Sequence, residues 1–99
     1  MELVWTLRAR ADLEEIIAYI SEDSPDAAEG TAEYILSAVA QLGEQPGLGR
    51  SGRKEGTREL IIRKGSWSFG YIIPYRVRRG RVELLAVIHS ARQSPVDRP

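Results

Sequence analysis

Residues able to do chemistry gather towards the C-terminal end of the sequence. His89, Ser90, Arg92, Gln93 and Ser94 follow one another directly after an apolar run at residues 82–88. They bring an imidazole that titrates near neutral pH, a guanidinium, an amide and two hydroxyls. A guanidinium pairs with phosphate or carboxylate through two parallel hydrogen bonds, so the group suits an anionic partner. Arg58, Arg63 and Arg76 add cations from strand-like segments upstream. Two readings of His89 stand: a structural residue with one ring nitrogen bonded to a nearby main-chain group, or a member of the site. Arg92 has little structural reason to follow a strand, which makes it the leading site residue. Arg76 has an alternative role in a cross-strand pair with Glu83.

Other chemistries are narrowed by what the sequence lacks. It has no cysteine and one histidine, so disulfides, thiolate metal sites and cysteine nucleophiles are excluded, and a metal centre is not expected. Phosphate-binding glycine motifs of the nucleotide-binding folds are absent as well.

The elements that must position these residues can be read from spacing. Strand-like runs at 71–77 and 82–88 flank an arginine-rich turn at Gly80, which makes a β-hairpin with the polar tail at its end. Upstream, residues 3–5 form a first strand, and Thr6 caps a helix whose apolar stripe is Leu13, Ile16, Ile17 and Ile20. Asp12, Glu14 and Glu15 fall on its other, solvated side. Ser24 and Pro25 begin a second helix carrying Ala28, Ala32, Ile35, Leu36, Val39 and Leu42. Residues 43–49, with Pro46 and three glycines, stop it. A basic loop at 50–56 reads as a mobile linker crossing the sheet edge, or as a flap over a polyanion. Residues 57–63 are a strand with Leu60 and Ile62 on one face, and a meander through 67–77 and 81–89 follows. Pro74 cannot donate to a ladder and predicts a bulge. The expected fold is therefore α+β, in one domain over 1–99: an N-terminal strand, a two-helix hairpin, then a three-stranded antiparallel meander with the helices on one face.

Charge is divided along the chain. Residues 1–45 hold ten acids and two bases, a net of −8, and residues 46–99 hold twelve bases and four acids, a net of +8. Either the acidic helices neutralise the basic sheet within the fold, or the basic half awaits an anionic partner. No apolar stretch is long enough to span a bilayer, so a cytoplasmic protein is expected.

The helical phrase Ala11-Asp12-Leu13-Glu14-Glu15-Ile16 with Tyr19-Ile20, then Gly56-Thr57-Arg58-Glu59-Leu60, Tyr75-Arg76-Val77 and the closing run from Val87 to Pro95, resembles the RelE/ParE superfamily of toxins from bacterial type II toxin–antitoxin modules. The resemblance covers almost the whole chain and implies that superfamily's fold, a cognate antitoxin bound in a hetero-oligomer, no cofactor, and a role in plasmid stabilisation. It implies one of two targets: DNA gyrase for ParE-like members, or ribosome-bound mRNA cut by RelE-like endoribonucleases. RelE-like chains resemble one another in an arginine three residues before the middle-strand tyrosine, where this chain has Ile72 before Tyr75. They also carry a lysine pair where this chain has Arg58 and Leu60, and a later tyrosine that residues 96–99 lack; Arg92 alone has a counterpart. The ParE-like branch is therefore favoured, a gyrase inhibitor rather than an enzyme, with Arg92, His89, Gln93, Arg58, Arg76 and Arg63 as the toxin-active surface. A ribonuclease that has moved its catalytic arginines, and a non-toxic antitoxin-binding relative, are the alternatives.

Overall fold

The computed structural model describes residues 1–65, 67 and 69–92, with Arg92 described in its backbone alone. The chain runs β1 (Glu2–Trp5), α1 (Leu7–Ser21), α2 (Pro25–Ala40), β2 (Arg50–Ser51), β3 (Arg58–Arg63), β4 (Gly70–Arg78), β5 (Arg81–Leu84) and β6 (Ile88–His89). The expected α+β architecture is present: a helix pair packed on one face of a sheet ordered β1-β5-β4-β3-β2, with β6 also on β4.

Both helices start where their caps require. The Thr6 hydroxyl accepts from the Ala9 N–H at 3.2 Å and donates to the Leu84 carbonyl at 2.7 Å, so one side chain caps α1 and ties it to β5. Ser24 accepts from the Ala27 N–H at 3.1 Å, with Pro25 at the first helical position. Ala9, Ile35 and Val39 carry the helices onto Leu60, Ile62, Tyr71, Ile73, Tyr75, Val82 and Leu84 of the sheet. The stripe of α1 is only half-buried from Leu13 to Ile20, and Leu36 of α2 is exposed.

β3, β4 and β5 form the expected meander, joined between β4 and β5 by the two-residue turn Arg79-Gly80, both at positive φ as a hairpin turn of this length requires. The expected last strand is interrupted. Tyr75 faces Leu84 while Ile72 faces Ile88, so three residues of the outer strand oppose two of β4. The Leu85 N–H donates to the Pro74 carbonyl at 2.8 Å, which shows that the missing N–H of Pro74 also points at this bulge. The bulge predicted at Pro74 thus falls on the strand beside it. β1, by contrast, lies parallel to β5, with Glu2 opposite Arg81.

The segment at 50–56 is more structured than a linker. Arg50 and Ser51 pair with Glu59 and Arg58. Beyond them the Gly52 N–H donates to the Thr57 carbonyl at 2.8 Å, and the Thr57 N–H and hydroxyl both donate to the Lys54 carbonyl. A Cβ at Gly52 would lie against the Thr57 side chain, so the turn closes only with glycine there.

Candidate functional site

Alternation along the strands divides the sheet into two faces. Glu59, Ile61 and Arg63 of β3 share a face with Ile72, Pro74 and Arg76 of β4 and with Arg81 and Glu83 of β5, and this face points away from the helices. Its cations are Arg50, Arg63, Arg76, Arg78 and Arg81, with Arg53 and Lys54 brought over it by the loop before β3. Among the described strand residues, Glu2, Glu59 and Glu83 are the acids on the same face.

Those carboxylates are bound within the sheet. Glu59, buried, accepts from Nε and Nη2 of Arg50 at 3.2 and 3.0 Å. Glu83 accepts from Arg76 Nε at 2.6 Å and lies 3.1 Å from Arg78 Nε. The hydrogen bond from Arg76, aided by Arg78, holds the Glu83 carboxyl below the usual glutamate range against its partial desolvation. The cross-strand alternative for Arg76 is the one the structure adopts.

In the middle of this charged face lies an apolar hollow of about 190 Å³. Ile72, Pro74, Leu85 and Ile88 form its floor, and Thr57, Arg53 and Lys54 wall it from the loop side. Ile72, the residue in place of the arginine of RelE-like chains, is part of that floor.

The six sequence-derived site residues do not converge. Arg58 and Arg63 stand at opposite ends of β3, roughly 17 Å apart at the usual strand rise. Arg58 donates to the Gly49 carbonyl at 2.8 Å, and Arg76 is paired as above. Arg63 borders a second, shallow depression with Arg50, Gly70 and Ser90, at the end of the sheet where the tail begins. His89 turns to the helix side. Its ring stacks on Phe69 at 4.4 Å and meets Tyr71 edge-on at 5.3 Å, while Nδ1 accepts from the Ala91 N–H at 3.1 Å. Arg92 closes a 3-10 turn, Ser90–Arg92, directly beyond His89. Gln93 lies outside the described residues.

Two features near the tail escaped sequence reasoning. Asp12, expected on the solvated side of α1, accepts from the Val87 N–H at 2.9 Å and from Arg8, and so pins α1 to the bulge that precedes the tail. A groove of about 290 Å³ between Ile16, Tyr19, Ile20 and Ala27 of the helix side and Phe69, Tyr71 and His89 opens beside it. A single carboxylate on a helix gives no sign of a main-chain partner 75 residues away. No helix among the described residues is long and apolar enough to cross a membrane.

Comparison with known proteins places this geometry. The model of the family described as ParE toxin of type II toxin-antitoxin system, parDE, matches residues 3–94. Y4kP of Sinorhizobium fredii, named as a candidate toxin, is 48% identical over 91 residues, which are 92% of this chain and 90% of that protein. Toxin RelE2 of Caulobacter vibrioides is 37% identical over 91 residues, 92% of this chain and 97% of its own. Among solved structures, a chain of the chromosomal ParDE TA system from P. aeruginosa superposes with a TM-score of 0.72 at 29% identity, over 90% of this chain and 95% of that one.

Proposed function

Since the chain belongs to the family of ParE toxins of type II toxin–antitoxin systems, whose partner is an antitoxin, we propose that it acts by binding DNA gyrase and does no covalent chemistry itself. The observation that carries this reading is the composition of the open sheet face. In-line cleavage of RNA needs several donors and acid–base groups converging on one phosphate. Here the centre of the face is Ile72, Pro74, Leu85 and Ile88, with the Glu59 carboxylate beside them. A phosphate seated there would meet apolar carbon and a negative charge. Arg76 and Arg50 are engaged by Glu83 and Glu59, and His89 is stacked on the other side of the sheet.

The surface available to a target is then the end of the sheet where Arg63, Ser90 and the turn leading to Arg92 meet. We assign the inhibitory contact to Arg92 and to Gln93, next after it in sequence, with Arg63 at the near end of β3; His89 stacked towards the helices, Arg58 at the far end of β3 and Arg76 paired with Glu83 stand apart from that contact. The antitoxin silences the toxin by folding over the groove between helices and sheet and over the basic face, an association that orders a segment degradable when free.

Supercoiling of relaxed plasmid by gyrase, run beside a ribosome-bound mRNA cleavage assay, tests the reading. The purified chain is expected to abolish supercoiling or trap cleaved DNA, and Arg92→Ala to relieve the effect at least tenfold in concentration. Cut messages with gyrase untouched would overturn it and return the chemistry to the arginines of the sheet. Toxin RelE2 and Toxin RelE3 of Caulobacter vibrioides, the latter 34% identical over 83 residues, make that second assay the natural control.

A further inference from the structure

The two layers of the molecule carry opposite charge on surfaces that face away from each other. On the helix side Glu14 and Glu15 of α1 and Asp26, Glu29 and Glu33 of α2 are exposed, with Arg8 and Arg10 at the start of α1. On the open sheet face Arg50, Lys54, Arg63, Arg76, Arg78 and Arg81 stand with Glu2, Glu59 and Glu83. A helix with its side chains is about 10 Å across, so the two surfaces lie further apart than the Debye length of about 8 Å at physiological salt. The acidic helices therefore do little to neutralise the basic face of their own chain. We propose that the two surfaces meet between copies: α2 of one chain docks on the open sheet face of the next, with Leu36 seated between Ile72, Pro74, Leu85 and Ile88. Free chains then stack head to tail. This is independent of gyrase as target.

Three features select a second copy as the occupant. First, Leu36 is an apolar side chain 46% exposed on the outer side of α2, and the hollow of about 190 Å³ has a hydrocarbon floor to receive it. Second, the charges on the two surfaces share a spacing. Glu33 and Glu29 lie on the same side of α2 as Leu36, about 4.5 and 10.5 Å before it along the helix. Arg76 and Arg78 follow Pro74 on the same face of β4, about 7 and 14 Å along the strand. With Leu36 in the hollow and α2 laid along β4, the two carboxylates come within side-chain reach of the two guanidiniums. Those arginines share the single carboxylate of Glu83, so the trio keeps a positive charge that Glu33 or Glu29 of the next chain can meet. Third, the chain has no net charge, so copies do not repel one another as wholes while their opposite surfaces attract. The contact uses a different surface on each partner, and such a contact need not close after two chains.

Sedimentation velocity of the purified full chain, over a range of concentrations at about 20 and about 500 mM salt, tests this. The average mass is expected to rise with concentration past that of a dimer at the lower salt, and to fall towards the monomer at the higher. Two variants, each checked for fold by circular dichroism, block one surface apiece: Glu33→Gln/Leu36→Gln the helix side, and Lys54→Gln/Arg78→Gln the sheet side. Each alone is expected to need at least about tenfold higher concentration to associate, the equivalent of losing one apolar anchor or its charge partners. Mixed in equal amounts they are expected to form a dimer and nothing larger, since the first keeps an intact sheet face and the second an intact helix face. Neither variant introduces a new charged residue, so the mixture gains no attraction that the wild type lacks. A wild type that is monomeric up to about 1 mM, or that stops at a dimer, overturns the proposal. So does a mixture that stays monomeric. A monomeric wild type whose sheet-side variant loses affinity for the product of the adjoining reading frame would give the open face to that partner alone, and would overturn it as well. Gyrase inhibition is scored separately, so failure of the stack and failure of the gyrase reading give different results.

Discussion

The two faces of one sheet have been put to opposite uses. Ile62 and Ile61 are neighbours on β3, yet Ile62 is 3% exposed beneath the helices and Ile61 is 39% exposed on the open side. The covered face is closed by side chains from both helices and from β1, β3, β4 and β5, and leaves no polar side-chain atom buried without a partner among the described residues. The open face keeps apolar carbon in a hollow that Arg53, Lys54 and Glu59 border. Stability resides in the first, and among the described residues no helix covers the second.

The sharpest way to break this division is to truncate the two isoleucines in turn. Ile62→Ala is expected to cost about 2 to 5 kcal/mol, the range for a buried aliphatic with its cavity, and Ile61→Ala within about 0.5 kcal/mol, both read from urea denaturation midpoints. Comparable losses would mean that the open face carries the fold as much as the covered one. A smaller effect is expected at the sheet's margin. The Tyr75 hydroxyl accepts from the buried Gly49 N–H at 2.8 Å and donates to the Pro46 carbonyl at 2.7 Å. Tyr75→Phe strands that N–H and should cost about 1 to 3 kcal/mol, with faster amide exchange at Gly49 as the local readout. The smallest effect belongs to the open face. The Glu83 carboxyl is held below its ordinary value by Arg76 and Arg78, so its contribution is complete above the unfolded glutamate pKa and is lost as pH falls through the lowered folded value. Glu83→Gln should therefore leave stability flatter than wild type on the acid side, with the two curves parallel above about pH 5, in thermal melts from pH 2 to 7.

Much of the covered half was legible because its rules are local. Thr6, Ser24 and Pro25 announce the helix starts, the 3.6-residue period picks Ile35 and Val39, and Gly80 marks the hairpin. Pro74 announced a bulge without saying on which strand it would fall, since that depends on the partner's register. What could not be read is what depends on contacts distant in sequence: Asp12 reaching Val87, the parallel pairing of β1, and the loop at 50–56 joining the sheet through Arg50 and Ser51. The candidate site divides the same way. The types of its residues were visible, and the Arg76–Glu83 pair follows from a hairpin register. The separation of Arg58 from Arg63, the turn of His89 towards the helices and the hollow around Ile72 belong to the assembled sheet.

The parallel pairing of β1 with β5 has a kinetic consequence. Each residue of the first strand meets a partner 79 positions later, Glu2 with Arg81 and Trp5 with Leu84. A helix pair and a meander are assembled from near neighbours, but this last seam closes the largest loop in the chain, and such closures come late because their entropy is lost before the contact is gained. The basic face therefore reaches its full width only when β1 and β5 have found each other, and a chain still being synthesised presents the acidic helices long before it presents that face.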